Sequence, residues 1–145
     1  MVGNKLQKVS LILLRVAVGC LFFYAGITKI LNPQWSAAGY LNNAQTFPEL
    51  FKWFTNPDIL PFINILNEWG LTLIGVALIL GAFTKWASWG GLMLMILYYF
   101  PVLTFPYAGD HSYIVDEHII YALVFLVLIA FRAGRYWGVD GMLNR

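Results

Sequence analysis

Charge is what this chain has least of. Only 11% of its 145 residues are Asp, Glu, Lys or Arg, less than half the roughly 25% of a soluble domain. So few charges exclude a surface that meets water on all sides. Cysteine is almost absent as well. Cys20 stands alone, which excludes an internal disulfide and any CxxC thiol chemistry; it is expected to be a small packing residue. The two histidines, His111 and His118, are seven positions apart. They could share one helix face but not grip a haem from both sides. No ligand spacing around them specifies a metal, so no metal site is expected. Gly-rich phosphate loops, a nucleophile elbow and a dinucleotide fingerprint are all missing. The net charge of +2 is too small to argue for nucleic acid.

Apolar residues fill the space that charge leaves. The chain is 60% hydrophobic and 17% aromatic, with mean hydropathy +0.70. Four long apolar stretches stand out, at about Leu11–Leu31, Leu66–Phe83, Trp86–Phe105 and Ile114–Phe131. Each approaches the ~20 residues that a helix needs to cross a hydrocarbon core of about 30 Å. They lack the strict alternation of barrel strands, and in lipid only helices and closed barrels satisfy every backbone polar group. The expected fold is all-α: an integral membrane four-helix bundle, forming a single transmembrane domain over residues 1–145.

The remaining charges sort by side. With the N-terminus in the cytoplasm, Lys5, Lys8, Lys85, Arg132, Arg135 and Arg145 fall inside, and only Lys29 and Lys52 fall outside. That bias places both termini in the cytoplasm of a multi-pass cell-membrane protein. The acids Glu49, Asp58, Glu68, Asp110, Asp116 and Glu117 fall outside, with Asp140 alone inside. The N-terminal run is read as a retained signal anchor. Arg15 interrupts its apolar core, the run continues past Cys20, and no cleavage site precedes a polar region.

Residues 32–65 form a long external segment, broken by Pro33, Pro48, Pro57 and Pro61. Two pieces of it read as short interfacial helices: Gln34–Asn43, with Trp35 and Tyr40, and Pro48–Phe54, with Leu50, Phe51 and Phe54 at helical spacing. They are expected to cap the outer mouth of the bundle. The link Gly81–Trp86 is a tight inner turn, which makes the second and third spans antiparallel neighbours. Small residues such as Gly19, Gly26, Gly75 and Gly91 permit close helix approach.

Function must lie in the few polar groups that such a bundle tolerates. Arg15 sits one to two turns inside the first span. It is either a snorkelling interface residue or a buried cation facing an acid or ligand. Lys29, Glu68, Asp116, Glu117 and His118 reach one level of the membrane from three different spans. Only Ile119–Phe131 of the fourth span is free of charge, which sets the Asp116–His118 step near or within the membrane. Intramembrane ionisable groups mark function, although acids also favour a helix start through its dipole. Tyr98, Tyr99, Phe100, Tyr107, Tyr113 and Tyr121 gather toward the same outer level, as a packing belt or as walls for a flat apolar ligand. Were that ligand a quinone, Tyr113, Glu117, His118 and Lys29 are of the types needed to donate to it and move protons.

Several segments, in their order, carry a family resemblance. They are Leu14-Arg15-Val16 with Gly19, the run Tyr24–Ile30, Trp35 with Gly39-Tyr40-Leu41, and Glu68-Trp69-Gly70. Gly75–Gly81, Tyr113–His118 and the tail Gly134–Asp140 complete the series. The arrangement resembles the DoxX/DoxD family of small four-helix membrane proteins and covers nearly the whole chain. The resemblance implies a membrane subunit associated with quinone-linked electron transfer. The DoxD member is the membrane subunit of thiosulfate:quinone oxidoreductase, and other members accompany respiratory or oxidative-stress complexes. Lys29, Glu68, Glu117 and His118 are then the expected catalytic groups, and Arg15, Tyr113 and Asp116 the expected quinone contacts. Quinone and a partner subunit, or a second copy of the chain, are the expected partners beside the lipid bilayer. Two other functions fit the same residues: a non-catalytic structural or assembly subunit of a larger membrane complex, and a small-solute or ion pathway.

Overall fold

A computed structural model describes residues 3–143; Arg145, counted above among the inner basic residues, lies outside them. The chain is mostly helical. Four long helices, α1 (Lys5–Ile30), α4 (Leu60–Leu80), α5 (Thr84–Val102) and α6 (Glu117–Ala130), carry the fold. Between α1 and α4 lie two short helices, α2 (Ala38–Asn42) and α3 (Pro48–Trp53). A two-stranded hairpin, β1 (Leu103–Thr104) with β2 (Tyr107–Ala108), follows α5. After α6 come a 3-10 turn, Ala133–Arg135, and α7 (Val139–Leu143).

Local chemistry explains the boundaries. Asn4 and Gln7 form a capping box that starts α1: Asn4 Oδ1 accepts from the Gln7 N–H at 2.8 Å, and Gln7 Oε1 accepts from the Asn4 N–H at 3.2 Å. The second span was expected from Leu66, but α4 begins six residues earlier, at Leu60. Pro61 reads as a breaker in sequence, yet it occupies the first turn of α4, where no intrahelical N–H is needed. Gly81 ends α4 in the left-handed region, at φ 65°. The third helix stops at Val102 rather than Phe105, because the chain turns there into the β1–β2 hairpin. The fourth starts at Glu117 rather than Ile114. Asp116 caps it, accepting from the N–H groups of His118 and Ile119 at 3.0 and 3.2 Å.

The long helices pack as two close pairs. Along α1 and α4 glycines let the backbones meet: Gly19 faces Leu78 and Ile79, Gly26 faces Thr72, and Gly75 lies against the backbone of Phe23. In the other pair, Gly91 of α5 lies under the fully buried ring of Phe125 on α6. Phe22 of α1 meets Phe125 edge-on, with centroids 5.1 Å apart, and so joins the pairs. Leu71, Leu78, Leu92, Met95 and Leu128 complete this core.

Outward faces of the helices are also apolar. Leu13, Tyr24, Leu73, Met93, Leu97 and Leu123 are all exposed. Cys20 shares this outward setting, so it is not a core packing residue. α1 and α4 are long and apolar enough to cross a membrane, and α6 is a shorter apolar helix.

Helices α2 and α3 close one end of the bundle. Leu41 of α2 and Phe51 of α3, with Ala37 and Ala44 that flank α2, form a second core with Ile63 of α4 and Phe100 of α5. Polar ties hold them down. The Gln45 N–H donates to Pro101 O at 3.0 Å, and the Ala37 N–H donates to Asn64 Oδ1 at 2.9 Å. The C-terminal segment after α6 closes the opposite end.

Candidate functional site

The capped end holds the Asp116–His118 pair. Asp116 Oδ2 lies 2.6 Å from His118 Nδ1, and both side chains are mostly buried, at 8% and 17% exposure. An ionised carboxylate only accepts, so Nδ1 is the donor of this contact and Nε2 is left outside it. Nε2 makes no hydrogen bond to the described residues. The arrangement follows from the cap itself. One carboxylate oxygen of Asp116 binds the first N–H groups of α6, which turns the other toward the imidazole two residues on.

Residues from three other elements surround the pair. The Tyr98 ring of α5 stands edge-on to the His118 ring, with centroids 6.2 Å apart. Its hydroxyl donates to Asn67 Oδ1 of α4, and Asn67 Nδ2 donates back to Ile63 O at 2.8 Å. Tyr40 of α2 packs edge-on against Tyr98 and donates from its hydroxyl to Tyr98 O at 2.5 Å. Burial, and then the negative charges of Asp116 and Glu117, push the Tyr40 phenol up to about 12. Tyr40 is therefore a fixed neutral donor at physiological pH. Sequence reasoning placed Tyr40 and Tyr98 only among aromatics and passed over Asn67. The available signal was a lone amide beside Glu68 at the head of an apolar run.

The other residues expected at this level are placed separately. Lys29 Nζ donates to Ala25 O of its own helix at 2.9 Å and lies 5.3 Å from the Trp35 ring centroid. Among the described residues it makes no ion pair with Glu68 or Glu117. Glu68 is half-buried on α4, next to Asn67, and Glu117 is exposed in the first turn of α6. Tyr113 is exposed on the β2–α6 connection, edge-on to Tyr107 at 5.9 Å. Within the expected set, Asp116 and His118 are the two in direct polar contact.

Arg15 lies at the opposite end and is 1% exposed. Its guanidinium donates to three carbonyls of the C-terminal segment: Ala133 O at 2.9 Å, Tyr136 O at 3.0 Å and Trp137 O at 2.8 Å. Arg15 is thus buried rather than snorkelling, and its hydrogen bonds go to backbone carbonyls rather than to an acid or a ligand. Asp140 also acts here. Its two oxygens accept from the N–H groups of Phe83 and Thr84 at 2.8 and 2.9 Å and cap α5 from the far end of the chain, while the Asp140 N–H donates to Gly81 O at 2.9 Å. Gly81 and Gly138 sit against the guanidinium, where a Cβ would collide with it. The tail is thereby fastened to α1, to the α4–α5 turn and to α5.

The comparisons agree with this architecture at the family level. Neither the curated proteins nor the solved structures include a match to the chain. The family model described as DoxX matches residues 10–104, which span most of α1 through β1 and about two thirds of the chain. Asp116, His118 and the fastening tail lie beyond the matched region. On that match the chain belongs to the DoxX family.

Proposed function

We propose that this DoxX-family chain is a four-helix, multi-pass membrane subunit that serves quinone-linked electron transfer, with the Asp116–His118 pair as its proton-handling site. The observation that carries the reading is the 2.6 Å contact between Asp116 Oδ2 and His118 Nδ1. A carboxylate that fixes one imidazole nitrogen leaves the other directed at whatever occupies the site, as a proton donor or acceptor.

The membrane setting rests on length and charge. α1 and α4, with 26 and 21 residues, rise roughly 39 and 32 Å. α5 and α6, with 19 and 14, rise roughly 28 and 21 Å and rely on their flanking segments for the remaining depth. Non-helical backbone at that depth must be satisfied by protein. The residue 103–116 segment meets this through its hairpin and the Tyr107–Tyr113 bridge. Fourteen residues separate Arg15 from Lys29, about 21 Å along α1. Arg15 thus lies toward the inner boundary, where the cost of a cation is below its midplane value. The basic excess at that end orients both termini to the cytoplasm.

A bound quinone supplies a two-electron acceptor whose reduction takes up two protons, with electrons from a partner oxidoreductase. With its Nδ1 proton held by Asp116, His118 would take up a further proton at Nε2, Asp116 would stabilise the resulting imidazolium, and Nε2 would then donate to the headgroup oxygen of a bound quinone. Glu117, exposed one residue away, exchanges protons with the outer aqueous phase. The Tyr40 hydroxyl holds Tyr98 in place rather than transferring its proton. Tyr113 supplies an aromatic rim, and Lys29 with Trp35 and Glu68 a polar flank at the same depth. Arg15 is the second, inner contact position, although three of its N–H groups are already taken by carbonyls.

The test is purification of the native protein in mild detergent, with organic extraction and mass spectrometry of what accompanies it. Co-purified quinone that falls at least tenfold in His118→Ala, together with a soluble oxidoreductase subunit, is the expected result. A large membrane assembly without quinone favours the second reading, a structural or assembly subunit. The internal engagement of both Arg15 and Lys29 supports that alternative.

A further inference from the structure

A cavity of about 450 Å³ opens at the tail end of the bundle, between the start of α5, the end of α6 and the 3-10 turn. Lys85 lines it from α5, Arg132 from the link after α6, and Arg135 from the 3-10 turn. None of the three makes a side-chain hydrogen bond or ion pair among the described residues; Lys85 Nζ lies 6.0 Å from the Trp86 ring centroid. One acid, Asp140, shares the cavity. Both its oxygens are held by backbone N–H groups, and it lies in the field of Arg15. The cavity is therefore lined by an excess of positive charge. Thr84 also lines it, is 2% exposed, and its Oγ1 has no hydrogen-bond partner. The apolar part of the wall is formed by the exposed rings of Phe83 and Trp86 and by half-buried Ile129, with Leu128 buried behind them.

We infer that this cavity binds an anionic phospholipid, its phosphate held by Lys85, Arg132 and Arg135 and its acyl chain laid along the exposed rings of Phe83 and Trp86. A soluble anion would use the basic groups and leave the apolar wall idle; a neutral lipid would do the reverse. A phospholipid of net negative charge matches both. Basic pockets between helices on the cytoplasmic side hold such headgroups through charge and hydrogen bonds. The inference rests on the membrane orientation proposed above, but not on quinone.

The experiment exchanges the purified full chain into mixed micelles of phosphatidylglycerol and phosphatidylcholine and reads retained lipid by native mass spectrometry. The wild type is expected to retain phosphatidylglycerol in preference to phosphatidylcholine. Lys85→Gln with Arg132→Gln is expected to weaken that retention about 30-fold, at ~1 kcal/mol per basic group. Lys5→Gln with Lys8→Gln removes equal charge from the same end and should leave it within about twofold. Equal loss in both pairs, or equal retention of phosphatidylcholine by the wild type, overturns the inference. So does displacement of the lipid by inorganic phosphate alone, measured on the wild type, which would identify a soluble-anion site. Quinone content of the same samples separates the two proposals: quinone without lipid defeats this inference alone, and lipid without quinone defeats only the electron-transfer reading.

Discussion

At the tail end, Arg15 donates to three carbonyls within 3.0 Å and Asp140 accepts from two backbone N–H groups, so the hydrogen bonds of these ionisable groups run to backbone. At the capped end, Asp116 spends one oxygen on the start of α6 and the other on His118, whose Nε2 is left over. Both ends bury a carboxylate at a helix N-terminus, and the difference lies in what remains after capping. Asp140 caps with both oxygens and fastens the fold. Asp116 caps with one and orients an imidazole. An embedded charge is thus a structural fastener where its hydrogen bonds run to backbone groups, and the proposed proton site lies where an imidazole nitrogen is left outside the pairing.

The comparison can be broken by substitution, beginning with the largest expected effect. Arg15→Met removes the donor of three tail carbonyls, the Ala133 bond buried and the other two part-buried, and should cost about 3–5 kcal/mol, read as a loss of folded protein on thermal unfolding in detergent. Arg15→Lys should recover only part, because a point charge cannot span three acceptors as a guanidinium fork does. Wild-type stability in Arg15→Met would show that the tail is not a fastener. Asp140→Ala removes the cap of α5 and should cost about 1–2 kcal/mol, with increased proteolysis after α6 as a second readout.

The smallest effect concerns Tyr40 and pH. Its folded value is raised above the ordinary 10 to about 12. Its contribution to stability is complete below pH 10 and is lost as pH rises from 10 through 12, since the unfolded phenol ionises first. Tyr40→Phe should flatten that alkaline arm of the stability profile and leave the neutral region nearly unchanged. An unaltered arm would place the dependence on another group.

How much of this was legible in the sequence varied with the range of the contact. The α6 start could be read from Asp116 preceding an apolar run, since capping is local. Glycines at Gly19, Gly26 and Gly75 marked a close helix face, since a missing side chain has few other uses in such a run. Arg15 was visible as an anomaly but its partners were not. They lie 118 to 122 residues away and are backbone carbonyls, which carry no residue signature. Asn67 and Tyr98 escaped for a related reason: their pairing depends on how α4 and α5 are rotated, and depth in the membrane does not determine rotation. Pro61 misled about the start of α4 because proline both breaks helices and begins them.

The most direct test of the contrast is quinone-linked turnover per folded molecule in native membranes, measured in His118→Ala and Asp140→Asn beside the wild type, with thermal stability of each. The account predicts a turnover loss of about 100-fold or more for His118→Ala at nearly unchanged stability. For Asp140→Asn it predicts lowered stability with turnover per folded molecule retained. Wild-type turnover in His118→Ala, or turnover abolished in folded Asp140→Asn, would contradict it.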